Sequence, residues 1–181
     1  MSGDPLSRDT LAARVHAAAH LTGTFVLRSG VTSAEYFDKY RFEADPALLT
    51  DVADGLAGLL SDEVEVLAGL ELGGIPLVTM LSARTGLPAR FVRKQAKSYG
   101  TAELAEGGSI DGRRIAVIED VITSGGQVVT SCGDLRARGA DILEVLCVID
   151  RQAGGEAALA AHGLPLRALF TAEDLRRAAD G

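Results

Sequence analysis

The apolar residues of this chain change period along its length. Leu11, Val15 and Ala18 fall at helical spacing, which predicts a helix over 9–20 with Asp9 or Thr10 as N-cap and Gly23 ending the unit. Residues 24–28 alternate like a strand, and Ser29-Gly30 reads as a turn. From Pro46 a second helix is expected. Asp45 caps it, and Leu48, Leu49, Val52, Leu56, Leu59 and Leu60 supply its apolar face. The chain then settles into alternation: strands over 64–70, 89–92, 114–118, 142–149 and 166–170, with helices over 75–83, 126–138 and 156–162 between them. Residues 94–109 read as loop, and Thr171-Ala-Glu-Asp174 opens a last helix in the manner of a capping box.

Alternating strands and helices imply an α/β fold with a mostly parallel central sheet flanked by helices. Ligands of such sheets bind at the carboxyl ends of the strands. With 181 residues, one domain is expected. Repeats and low-complexity tracts are absent from the sequence.

Composition narrows the class of partner. The formal net charge of −7 argues against a nucleic-acid footprint. Resolved along the chain, the sum divides into +5 over 75–102 and −12 elsewhere, a pattern that suits a small, highly charged anion. Cys132 and Cys147 have no CxxC or His partner, so they read as buried free thiols of a reducing compartment rather than a metal or disulfide site. The first residues carry no signal pattern, and apolar runs fall short of the ~18 residues of a membrane helix. A soluble cytoplasmic protein is expected.

The chemistry is concentrated in Arg114-Ile-Ala-Val-Ile-Glu-Asp-Val-Ile-Thr-Ser-Gly-Gly-Gln-Val128. An apolar strand ends in Glu119 and Asp120, the loop Thr123-Ser124-Gly125-Gly126 follows, and a helix starts at once. Glycines let several N–H groups converge, the helix N-terminus adds partial positive charge, and the hydroxyls add donors, which together make a phosphate cradle. Two carboxylates beside such a cradle repel a bare phosphate and suit a sugar diol. The segment therefore asks for a phosphorylated sugar. GxxxxGK[ST] and GxGxxG are both missing, so a P-loop or dinucleotide site is unsupported. A lone Thr-Ser-Gly-Gly would be an ordinary turn; here it has the strand, both acids and the helix around it.

This segment resembles the phosphoribosyl-pyrophosphate signature of the type I phosphoribosyltransferases. Three others narrow the resemblance to the orotate phosphoribosyltransferases: Phe25-Val-Leu-Arg-Ser-Gly30 followed by Tyr36-Phe37, Arg93-Lys-Gln-Ala-Lys97 followed by Tyr99-Gly100, and Asp150-Arg-Gln152. With Glu71-Leu-Gly-Gly-Ile-Pro76 it runs from about residue 20 to 175. It implies a single domain over 1–181, with a hood of about 1–45 plus C-terminal elements and a core of about 46–170. It also implies transfer of the phosphoribosyl group from phosphoribosyl pyrophosphate to orotate, releasing pyrophosphate and giving orotidine 5′-monophosphate on the route to UMP, with Mg2+ as cofactor.

Residue roles follow from the same resemblance. Glu119, Asp120, Val121, Ile122, Thr123, Ser124, Gly125, Gly126 and Gln127 bind the phosphoribosyl pyrophosphate, together with Arg93, Lys94 and Lys97. Those three cations and Tyr99 serve catalysis: fixed positive charge aimed at a leaving group that gains negative charge favours the transition state over the ground state. Arg28, Tyr36, Phe37, Thr123 and Arg151 bind orotate, with the planar Arg151 guanidinium on its carboxylate. Mg2+ is held mainly through the substrate's pyrophosphate and ribose, near Glu119 and Asp120, without a protein metal cage. Loop 94–108 closes over a neighbouring subunit's site, making a homodimer, with no nucleic-acid or membrane partner.

Three positions depart from the bacterial pattern. Tyr99 replaces a loop His, Arg28 replaces a Lys, and Gly73 replaces a further Lys, so that compensation is expected from backbone N–H groups or from Lys39 and Arg41. Two other readings compete. One is transfer to a different base, which Arg151 disfavours. The other is a non-catalytic regulator, for which about 20 residues ahead of the resemblance offer no nucleic-acid-binding extension.

Overall fold

The computed structural model describes residues 6–26, 30, 32–95 and 104–180. Helix α1 (Arg8–Ala19) is capped by Ser7, whose hydroxyl accepts from the Thr10 N–H at 3.2 Å. The cap is thus neither Asp9 nor Thr10: Ser7 is the last residue with extended backbone, and Asp9 sits inside the first turn. Strand β1 (His20–Val26) follows immediately, so Gly23 lies within a strand rather than closing the helical unit. It pairs antiparallel with β2 (Thr32–Phe37), a strand the sequence pattern missed. Most β2 side chains are exposed, so neither face had to be apolar and no period of two was written.

After the single turn α2 (Tyr40–Glu43) comes α3 (Pro46–Ala57). Its N-cap Asp45 accepts from the N–H groups of Ala47 and Leu48, each at 2.9 Å. The core continues through β3 (Val66–Leu70), α4 (Gly74–Thr85), β4 (Ala89–Val92), β5 (Ala105–Glu106), β6 (Arg114–Ile122), α5 (Gly126–Arg136), β7 (Asp141–Asp150), α6 (Gly155–Ala160), β8 (Leu166–Thr171) and α7 (Ala172–Asp180). The expected capping box opens α7: Asp174 N–H donates to Thr171 Oγ1 at 3.1 Å, and Thr171 N–H donates to Asp174 Oδ2 at 2.9 Å.

One sheet runs β5-β4-β3-β6-β7-β8, parallel throughout except for the two-residue β5 at its edge. That edge piece lies in the segment read as loop; two residues are too few to leave a period. Along β6, Ile115 and Val117 pack on one side with Val128, Cys132, Leu135 and Leu159 of α5 and α6. Ala116 and Ile118 pack on the other with α1, α3, α4 and α7. Both faces are covered, which is why the central strands read as nearly continuous apolar runs. From β3 the chain crosses to β4 on one side, and from β6 to β7 on the other. The order therefore reverses between β3 and β6, and the crevice of the fold opens at their carboxyl ends. Among the described residues, no helix is long and apolar enough to cross a membrane.

Candidate active site

β6 runs four residues beyond 118, because Val121 and Ile122 pair with Ile149 and Asp150 of β7. Glu119 and Asp120 are thus strand residues near its carboxyl end rather than the first residues after it. Ile122 is buried in the core on one face of the sheet and Val121 packs partly against the core on the other, so what they offer a ligand is backbone. The Ile122 carbonyl already accepts from the Arg151 N–H at 2.8 Å.

Asp120 is fully buried. Its Oδ1 accepts from the Val121 N–H, and its Oδ2 forms an ion pair with Lys39 Nζ. Gly73, between β3 and α4, backs onto the same carboxylate: a Cβ on Gly73 would overlap its Oδ2 and lie 3.0 Å from its Cβ. Glu43 of α2 joins from the hood. It is buried, and neither of its carboxyl oxygens has a hydrogen-bond partner among the described residues. Burial and then the charge of Asp120 push the Glu43 carboxyl up to about 8. Burial, with Asp120 next to it, pushes Glu119 up to about 9. Burial alone would lower the Lys39 ammonium, but Asp120 and Glu119 override that and raise it. Three carboxyl groups thus crowd around one ammonium, an arrangement in which protons stay on some carboxyls. Sequence spacing had no signal for Glu43, which reaches the acids only through the fold of the hood.

The loop after β6 is open to solvent. Thr123, Ser124, Gly126 and Gln127 are exposed, and Gln127 Nε2 lies 3.4 Å from Ser131 Oγ. Gly125 has φ +75°, and a Cβ there would sit 3.1 Å from the Gly155 carbonyl, so the turn into α5 needs glycine. The α5 N-terminus follows directly, with its unpaired N–H groups available to an anion.

The cations reach the same end of the sheet by way of β4. Arg93 N–H donates to the Leu104 carbonyl at 2.9 Å, and its Nε to Glu106 at 3.2 Å. Lys94 N–H donates to the Glu71 carboxylate, tying the exits of β4 and β3 together, while Lys94 itself is exposed. The charge count over 75–102 overstates the mouth. Arg84 is held by Asp54 of α3 at 2.9 Å, and Arg90 by the carbonyls of Ala89 and Ser109. Arg28, Lys97 and Tyr99 lie outside the described residues.

Phe37 and Arg151 line one cavity of about 350 Å3, together with His16, His20, Glu35 and Arg176 among others. Thr123 does not line it. Arg151 is exposed, and its guanidinium meets no protein acceptor among the described residues. Tyr36 packs its ring 5.5 Å from that of Phe25 and lines a smaller neighbouring pocket with Phe37 and Arg151. His20 and Glu35, 3.6 Å apart across the hairpin, went unnoticed in the sequence because only the pairing of β1 with β2 joins them. No cluster of three or more metal-ligating side chains occurs among the described residues.

This architecture has relatives. Residues 41–161 match the family model of the phosphoribosyl transferase domain. The orotate phosphoribosyltransferase of a Nocardioides species is 54% identical over 92% of this chain and 93% of its own. That of Halobacterium salinarum is 44% identical over 84% of this chain and 87% of its own. The crystal structure of Mycobacterium tuberculosis orotate phosphoribosyltransferase with Fe(III) dicitrate superposes with a TM-score of 0.85 at 30% identity, covering 93% of this chain and 98% of that one. The same enzyme with 5-phospho-α-D-ribosyl 1-diphosphate gives 0.81 at 28% identity, with 93% and 98% covered. On its sequence, its fold and these likenesses, the chain belongs to the orotate phosphoribosyltransferases of the type I phosphoribosyltransferase family.

Proposed function

We propose that this chain catalyses transfer of the phosphoribosyl group from phosphoribosyl pyrophosphate to orotate. A ring nitrogen of orotate bonds to C1′, and its proton leaves to solvent or to the departing pyrophosphate. The C1′–oxygen bond breaks, and its electron pair leaves with pyrophosphate. The observation that carries this reading is the juxtaposition at the carboxyl ends of β3 and β6. Two adjacent acids that suit a ribose diol, the half-buried Glu119 and the buried Asp120, stand beside an open, glycine-turned loop at the α5 N-terminus.

Each part has a task. Glu119 and Asp120 hold the ribose hydroxyls. The backbone and hydroxyls of 121–127 hold the 5′-phosphate. Arg93, Lys94 and Lys97 stabilise the departing pyrophosphate, with Tyr99 as a donor near them. Phe37 and Tyr36 lie against the flat pyrimidine, while Arg151, with Thr123 and Arg28, takes its carboxylate. Two adjacent acids at a strand end, Glu119 and Asp120, fit Mg2+ delivered with the substrate. Bound magnesium would neutralise pyrophosphate charge, and Glu119 and Asp120 would hold the metal–substrate pair through the ribose hydroxyls. The same reading carries a homodimer that shares loop 94–108 between subunits, in the cytoplasm.

A substrate panel tests it. With phosphoribosyl pyrophosphate and Mg2+, orotate absorbance falls, and uracil, adenine and hypoxanthine are not consumed. Turnover of one of those bases in place of orotate would refute the assignment.

A further inference from the structure

Lys39 stands between Phe37, on the base side of the site, and Glu43, buried beneath the acids. Its ammonium crosses from the hood to the core and meets Asp120 Oδ2. The other oxygen of that carboxylate accepts from the Val121 N–H, while Oδ2 has the Lys39 ion pair and no hydrogen bond among the described residues. On the remaining side Gly73 leaves no room: a side chain there would overlap Asp120. A cation can therefore reach this carboxylate from the hood, where Lys39 is, but not from position 73.

We infer that Lys39 is a positioning residue for the transfer reaction, a clamp that orients Asp120 for the ribose. The inference rests on the transferase reading above and deepens it. Three geometric facts carry it. The pair joins elements far apart in sequence, residue 39 after β2 and residue 120 in β6. It is the only ion pair of Asp120 among the described residues. Glu43 crowds the same spot without a hydrogen bond of its own, so an Asp120 deprived of Lys39 would keep only the Val121 N–H, beside a second buried carboxyl group.

The test is a double-mutant cycle on the full-length protein, read by calorimetric titration with phosphoribosyl pyrophosphate in Mg2+ and by steady-state kinetics with orotate. Lys39→Met is expected to weaken phosphoribosyl pyrophosphate binding about tenfold and to lower kcat. Its KM for orotate should stay within about twofold of the parent. Lys39→Arg should recover most of the loss. On an Asp120→Asn background, Lys39→Met should change binding by less than about twofold, because its partner charge is already gone. Losses that multiply across the two sites would overturn the inference, since Lys39 would then act on substrate independently of Asp120. Equal losses for both substrates with a lowered Tm, or a Lys39→Met protein that matches the parent, would overturn it as well. A parent protein that neither binds phosphoribosyl pyrophosphate nor consumes orotate would instead refute the underlying reading.

Discussion

Gly73 and Asp120 touch across the crevice between β3 and β6, with the glycine Cα packed where any side chain would overlap the carboxylate. Gly73→Ala must displace Asp120 or the turn that leads into α4. Overpacking of this kind costs about 1–3 kcal/mol. The expected result is a phosphoribosyl pyrophosphate KM raised about tenfold. Orotate KM should be nearly unchanged, and both follow from steady-state kinetics with each substrate varied in turn.

Gly125 holds the left-handed conformation that turns the chain from β6 into α5, close to the Gly155 carbonyl. An alanine there carries about 1–2 kcal/mol of backbone strain before any contact is counted. Gly125→Ala should lower kcat/KM for phosphoribosyl pyrophosphate about tenfold and reduce Tm by a few degrees. Thermal unfolding alongside kinetics separates the two effects.

Arg151 lines the cavity that also holds Phe37, and its guanidinium has no protein acceptor among the described residues. Arg151→Ala should raise orotate KM sharply and spare phosphoribosyl pyrophosphate binding. Titration of the variant with each substrate in turn checks the split. An unchanged orotate KM would remove Arg151 from the carboxylate role.

Asp174 joins the chain ends. It accepts from Arg8 at 2.7 Å and from the Thr171 N–H, and it pairs with Arg177. The Arg8 guanidinium, with Thr171 and Arg177 behind it, holds the Asp174 carboxyl well below the usual carboxylate range. A pKa lowered by folding contributes stability above the unfolded value of about 3.9, and that contribution is lost as pH falls below it toward the folded value. Asp174→Asn should therefore lower Tm at neutral pH, and the gap from the parent should close as pH drops below about 4. A gap independent of pH would mean that the charge does not matter.

Cys132 and Cys147 are fully buried. Burial pushes the Cys132 thiol up to about 12 and Cys147 higher still, leaving little thiolate at neutral pH. Neither should react with a maleimide in the native protein, and both should react on unfolding, as mass spectrometry of the labelled protein would show.

The order of strands and helices from Pro46 onward was legible because each central element is covered on both faces or along one stripe, and burial writes a period into the sequence. The turn from β6 into α5 was legible for a related reason. A strand, a tight turn and a helix N-terminus are contiguous, so Glu119 to Gln127 carry their geometry locally. The hood was not. β2 is mostly exposed and needs no apolar alternation, while α2 is a single turn. Ser7 rather than Asp9 caps α1, because a cap is defined by where the backbone leaves the extended region and several polar residues there compete for it.

Sequence alone determined what is local: the α/β order, the acids beside a glycine turn at a helix N-terminus, and the adjacent cations Arg93 and Lys94. Tertiary structure decided what depends on distant segments meeting. It engaged Arg84 and Arg90 away from the mouth, gathered Phe37 and Arg151 around one cavity, and set Lys39 and Glu43 of the hood against Asp120, with Gly73 behind it. The physical reason is range. A period, a cap or a glycine turn is settled within a few residues, whereas a buried charge is settled by whichever segment the fold brings within an ion pair of it.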